Sequence, residues 1–334
     1  MSAYVLRDAS RARRLSDEVN RRLLDSLRYV FDEVGSQLEI DQIRAGEWLA
    51  QLSRARRAAP LVHAQFHALV GAVQDGRMAV ARDLARRLLE QPGAAATQWL
   101  MNLDDARLGT DAAALFAPFV DLEEDNRLDI VPAAEHDLAR ITAMFAEARE
   151  MMGRHDPELL GEFEALVSDV IVVGQGQEHR LTLGAVSCFE VWGGLFLNPG
   201  LQRDALELVG TIAHENTHFL LFAYALDEPL ILNDAEERHY SPLREERRSM
   251  DGVYHATIVS ARMVDAFRRQ LASGALSPQF ADLAERRIAL ALEYFDGGVE
   301  IIRKSGKLSP LAGTILEEAV DLVRHEPRRQ RLIA

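Results

Sequence analysis

The chain has 334 residues, 48% hydrophobic and 27% charged, with a formal net charge of -14. A chain of this length buries a sizeable core without disulfides or structural metal, and the composition shows no sign of extended disorder. The negative balance argues against a nucleic-acid partner, because phosphate is repelled overall.

From the N-terminus, residues 9–35 place Leu15, Val19, Leu23, Leu24, Leu27, Val30 and Phe31 at three- and four-residue spacing, which predicts an amphipathic helix. The same spacing predicts helices over residues 40–57, 61–74, 78–90 and 94–103, interrupted by Asp75-Gly76 and Pro92-Gly93. The acidic stretch 121–127 is the weakest point in the pattern. It suggests a helical N-terminal region over residues 1–130, a candidate recruiter of a peptide or leader, followed by a catalytic region over residues 131–334. Helices are predicted at 133–152 and 157–167, then short strands at 169–173 and 179–183. Residues 187–198 read as a strand stopped by Asn198-Pro199-Gly200. Four more helices are predicted at 203–225, 251–272, 277–302 and 310–324. Arginine runs at 11–14, 54–57 and 244–248 are read as solvated faces.

The single cysteine, Cys188, permits no intrachain disulfide and points to a reducing compartment. No window approaches the length of a membrane span, and the first residues lack the apolar core of a signal peptide. A cytoplasmic location without membrane contact is expected.

The chemistry centres on His214-Glu215-Asn216-Thr217-His218. On a helix the two histidines are four positions apart, so both imidazoles turn to one side and can converge on a metal ion, with Glu215 one step round. The flanking Leu206, Val209, Ile212, Ala213, Phe219, Leu220 and Leu221 predict a buried helix, where unpaired polar side chains are costly and coordination offsets the cost. The fold class expected is therefore mainly α (α+β), a multi-helix protein with a small β-sheet next to a zincin-like His-Glu-x-x-His helix.

Two rivals offer the third ligand. Glu237 lies nineteen positions beyond His218, a spacing used by zinc peptidases in which the motif glutamate activates water, and Glu236 stands beside it. Yet residues 233–242 read as a loop, where glutamate is usually solvated. His255 instead stands in an apolar segment that predicts a buried helix. Arg262 follows two turns later on the same stripe, about 10 Å along the axis. A dicarboxylate spans that gap, which suits iron-dependent 2-oxoglutarate chemistry: three protein ligands leave positions for a 2-oxo acid and dioxygen, and an arginine holds the distal carboxylate.

Taken together, His214-Glu215-Asn216-Thr217-His218, Asp227-Glu228-Pro229-Leu230, Glu237-Arg238-His239-Tyr240-Ser241-Pro242-Leu243-Arg244 and Gly252-Val253-Tyr254-His255-Ala256 resemble the HExxH-type peptide-modifying proteins of bacterial natural-product clusters. The resemblance covers about fifty residues. It departs from the family after Arg244, where Asp-Pro-Arg-Pro is common and this chain has Glu246-Arg247-Arg248-Ser249. It implies 2-oxoglutarate- and iron-dependent β-hydroxylation of a side chain in a ribosomally made precursor peptide. Arg244 matches an arginine of the family motif and is a candidate for binding the 2-oxo acid or the peptide.

Three readings result. In the first, His214, His218 and His255 bind Fe(II), Arg262 or Arg244 holds 2-oxoglutarate, Glu215 orients a ligand or water, and dioxygen hydroxylates the precursor peptide. In the second, Zn is held with Glu237 as third ligand and Glu215 is the general base of a peptidase. In the third, the chain is a non-catalytic peptide-binding module. A further pair, His63 and His67, shares the four-residue spacing but lacks the glutamate, and is read as helix packing.

Overall fold

The computed structural model describes residues 4–55, 57–94, 100–120, 128–180, 182, 184–243 and 246–324. The protein is mainly α with a small sheet. No described helix is long and apolar enough to cross a membrane. Contacts divide the chain into two compact units, one of Met1–Ala9, Ala143–Phe163 and Arg203–Ala334, the other of Ser10–Thr142 and Glu164–Gln202. The expected regions 1–130 and 131–334 are contiguous stretches, whereas the contact units alternate along the chain.

The second of these units contains α1 (Ala9–Val34) from Ser10 onward, α2 (Gln42–Ala55), α3 (Pro60–Gln74) and α4 (Met78–Glu90), close to the first four predicted helices. Their apolar stripes meet in one core: Leu23, Leu27 and Phe31 pack with Trp48, Leu52, Val62, Leu69, Ala85 and Leu88. The helix predicted over residues 94–103 is corrected. Residues 95–99 lie outside the described residues, and Leu100–Asn102 forms β1, parallel to β3 (Asp169–Gln175) with Leu100 opposite Val170. A three-residue strand is decided by a partner far along the chain, which local periodicity does not register. α5 (Ala112–Val120) escaped prediction because it is short, apolar on most sides and carries Pro118.

β2 (Ile130–Pro132) pairs antiparallel with the C-terminal end of β3. After α6 (Glu135–His155) and α7 (Pro157–Leu166), β3 pairs in parallel with β5 (Gly194–Leu197), and β4 (Ala185–Val186) closes the order β1-β3-β5-β4. The continuous apolar runs Val170 to Val173 and Leu195 to Leu197 are fully buried, as parallel strands require. The strand predicted over 187–198 is shorter, because Phe189–Val191 makes a turn of 3-10 helix and Gly193, at φ +84°, turns the chain into β5. Of the strand predicted over 179–183, residues 179, 180 and 182 are irregular and 181 and 183 lie outside the described residues.

His63 and His67 lie on α3. His63 is 2% exposed and burial pushes its imidazole down to about 3, with His67 adding to the shift. His67 sits among the rings of Phe66, Phe119 and Phe189. The folded chain therefore keeps His63 neutral, while the unfolded chain protonates it below about pH 6.5. Its contribution to stability is complete above the unfolded value and is lost as pH falls towards the folded one, at about 1.4 kcal/mol per pH unit. Urea unfolding at pH 7 and pH 5 should show a loss of about 2 kcal/mol from this group, and His63→Leu should remove that part of the acid slope. An unchanged slope in the variant would contradict the assignment.

The other unit holds α8 (Ala205–Tyr224), the hairpin β6 (His239–Ser241) with β7 (Glu246–Arg248), α9 (Met250–Ala272), α10 (Pro278–Ser305) and α11 (Pro310–Arg324). Each helix start has its cap. Asp204 accepts from the Glu207 amide at 2.7 Å to start α8 and is gripped by Arg287 of α10 at 2.9 and 3.0 Å. Ser249 accepts from Gly252 for α9, and Ser277 from Phe280 for α10. α9 is the central helix, packing on α8, α10 and α11. Val253, Tyr254, Ile258 and Ala261 join Phe295, Ile302, Ile315 and Leu316 in its core.

The α8 to α9 packing depends on Gly210, where an added Cβ would run into the Phe267 ring. Gly210→Ala should therefore cost about 1–3 kcal/mol despite the better helix propensity of alanine. A urea midpoint equal to that of the unsubstituted chain would show that Phe267 can yield.

Candidate metal centre

Two facts of sequence place the motif histidines. The Asp204 cap and the apolar run from Leu206 to Phe219 form α8, and its periodicity sets His214 and His218 one turn apart on one side. Their Nε2 atoms lie 3.2 Å apart. The contact of α9 with α8 then supplies His255, whose Nδ1 lies 3.1 Å from the Nδ1 of His218. The ring of His218 is thus flanked by the other two, with centroids at 4.9 Å to His214 and 5.3 Å to His255. Nitrogens held at about 2.0–2.1 Å from one ion lie about 2.8–3.4 Å apart for angles between about 90° and tetrahedral. Each separation, taken singly, falls in that range.

His218 presents different nitrogens to its two neighbours, so a single ion taking one nitrogen from each ring would require one imidazole to rotate. Among the described residues, no three His, Cys, Asp or Glu side chains are already grouped for an ion. Burial pushes the His255 imidazole below its usual range, against the pull of the Asp251 carboxylate. That favours the neutral form a metal needs.

The surroundings are partly apolar. Phe222, one turn beyond His218, stacks on it with centroids 6.0 Å apart and also faces His255 at 5.6 Å. Asp251, one turn before His255, places Oδ2 3.9 Å from its Nε2. Glu215 is 3% exposed, and its Oε1 lies 3.9 Å from Nε2 of His214. Phe222 and Asp251 were legible in the sequence as four-residue neighbours of the histidines, yet only the packing of α8 on α9 shows that Phe222 reaches His255.

The rival carboxylates are engaged elsewhere. Asn233 donates to Glu237 Oε2 at 2.8 Å, Lys307 reaches its Oε1 at 3.2 Å, and His239 stands 3.5 Å away. The Asn233 bond first, then Lys307, holds the Glu237 carboxyl below its usual range. Glu236 is exposed and faces Arg238.

Arg262 has employment other than a 2-oxo acid. Its guanidinium donates to Glu162 of α7 and to the carbonyl of Val5, and the side chain is 2% exposed. Seven residues of helix do return Arg262 to the stripe of His255, but its long side chain turns to the buried carboxylate. That carboxylate lies a hundred positions away in sequence, beyond the reach of periodicity. Arg244 lies outside the described residues.

No family model matches the chain, and no curated protein matches it significantly.

Proposed function

We propose that this protein is an Fe(II)- and 2-oxoglutarate-dependent oxygenase that hydroxylates a side-chain β-carbon of a ribosomally made precursor peptide in the cytoplasm. The observation that carries the metal assignment is the arrival of His255 beside the His214–His218 pair, with nitrogen separations of 3.1 and 3.2 Å. The peptide substrate and the 2-oxo acid rest on the resemblance of residues 214–262 to the peptide-modifying proteins. Cys188, the single cysteine, is buried and makes no disulfide, which suits a reducing compartment.

In this reading His214, His218 and His255 would hold the iron. When bound, it would supply the oxidation of a C–H bond by dioxygen, with 2-oxoglutarate decarboxylated to succinate. Phe222 shields the rings of His218 and His255 from water. Asp251, 3.9 Å from the ring nitrogen that does not face His218, would orient His255 by closing on that nitrogen, as carboxylates commonly do behind metal-binding histidines. Glu215 orients His214 or a water beside it. Arg244 is the anchor proposed for the 2-oxo acid or the peptide, since Arg262 is committed to Glu162.

The test uses the full chain with Fe(II), 2-oxoglutarate, dioxygen and a precursor peptide encoded by a neighbouring short reading frame. The peptide should gain the mass of one oxygen atom at a single residue, with one succinate formed per product. A second reading, a zinc peptidase, draws on Glu215, whose carboxylate stands close enough to His214 to serve as base to a metal-bound water. It predicts cleavage of the peptide, with no need of dioxygen or 2-oxoglutarate.

A further inference from the structure

Phe222 lies one turn beyond His218 on α8 and is half-buried, with its ring centroid 6.0 Å from that of His218 and 5.6 Å from that of His255. It stands against two of the three imidazoles, one on each helix, because His214, His218 and Phe222 share one stripe of α8. The other side chains beside the imidazoles differ in chemistry. Glu215 and Asp251 each place a carboxylate oxygen 3.9 Å from a ring nitrogen, and a carboxylate carbon is already oxidised. Tyr254, next in the chain to His255, is turned into the core, where its hydroxyl donates to the carbonyl of Ala312 at 2.9 Å. The phenyl ring of Phe222 is the group in this set that can take up an oxygen atom.

A consequence follows if the centre is an oxygenase, and it rests on that reading. Turnover of dioxygen and 2-oxoglutarate with no peptide in place spends its oxidising power on the nearest oxidisable group of the chain. We infer that Phe222 is a self-hydroxylation site, at which one ring C–H bond becomes C–OH when peptide is lacking. One atom of dioxygen enters the ring and the other enters the new carboxylate of succinate, while 2-oxoglutarate loses carbon dioxide. Dioxygen takes up four electrons, two from the oxidative decarboxylation and two from the ring, and the proton lost from the ring is balanced by the one on the new hydroxyl. A phenol at position 222 is an oxygen donor beside the three imidazoles, so the modification should end turnover.

Two experiments test this, the first without turnover. The full chain is made with 4-fluorophenylalanine in place of its 13 phenylalanines, and the fluorine NMR signal of Phe222 is assigned as the one missing from Phe222→Leu, or from Phe222→Tyr if the leucine variant does not fold. Bound Mn(II), loaded in place of iron, should broaden that signal strongly, and His255→Ala should sharpen it again at the same Mn(II) concentration. The second is tandem mass spectrometry of the unsubstituted chain after anaerobic loading with Fe(II) and exposure to 2-oxoglutarate and isotopically heavy dioxygen without peptide. Phe222 should gain one heavy oxygen atom, with visible absorption from a phenol bound to Fe(III), as succinate formation slows. Succinate formed while Phe222 stays unmodified, or a Phe222 signal unmoved by bound Mn(II), would overturn the inference and leave the oxygenase reading standing. No succinate under any condition would overturn both.

Discussion

His255→Ala is expected to lower Fe(II) affinity by at least about a hundredfold, because loss of even an indirect partner of a ligand costs about 10- to 100-fold. Glu237→Ala should leave metal binding unaltered. The contrast follows from where the two side chains are held: His255 lies 3.1 Å from a nitrogen of His218, whereas both oxygens of Glu237 are bound by Asn233 and Lys307. Metal content after anaerobic loading and desalting measures the difference, with His214→Ala as the reference for loss. Metal lost from Glu237→Ala and retained by His255→Ala would reverse the ligand assignment and favour the peptidase reading. Asp251→Asn should fall between these cases, since it alters only the carboxylate behind His255.

Glu162→Ala is expected to destabilise the unit that carries the histidines by about 3–5 kcal/mol. Glu162 is 0% exposed and accepts from Arg262 and from the amide of Asp8 at 3.0 Å. Removing its carboxylate leaves the Arg262 charge buried without its carboxylate partner, and that penalty exceeds the attraction lost. Replacing both partners by apolar side chains, as in Glu162→Leu with Arg262→Met, should recover much of the loss. The same region holds Arg7 between Asp156 and Asp265, so the effect reaches the first described residues. The described tryptophans, Trp48 and Trp192, fall in the other unit, so urea unfolding is best followed by far-ultraviolet circular dichroism. A loss under about 1 kcal/mol would mean that water or a neighbouring carboxylate takes over the Arg262 charge.

The helices were legible where one stripe of apolar residues had visible ends. α11 falls on the predicted residues 310–324, and α8 and α9 deviate only at their ends, where Asp204 and Ser249 cap them. Local spacing also placed His214 with His218 and singled out His255, since each statement concerns one helix at a time. What spacing could not supply was the pairing of distant segments. β1 needed Val170 to Val172 as its partner, and Arg262 needed Glu162 as its counter-charge. The same limit applies to Gln65, an ordinary α3 residue in the sequence whose burial and unpaired oxygen belong to the folded chain.

The central claim is most directly tested by succinate formation from 2-oxoglutarate after anaerobic loading with Fe(II) and exposure to dioxygen, comparing the unsubstituted chain with His255→Ala. The account predicts Fe(II)-dependent succinate that the substitution abolishes while the far-ultraviolet spectrum is preserved. Tightly bound zinc, no turnover of 2-oxoglutarate and peptide cleavage that depends on Glu215 would contradict it.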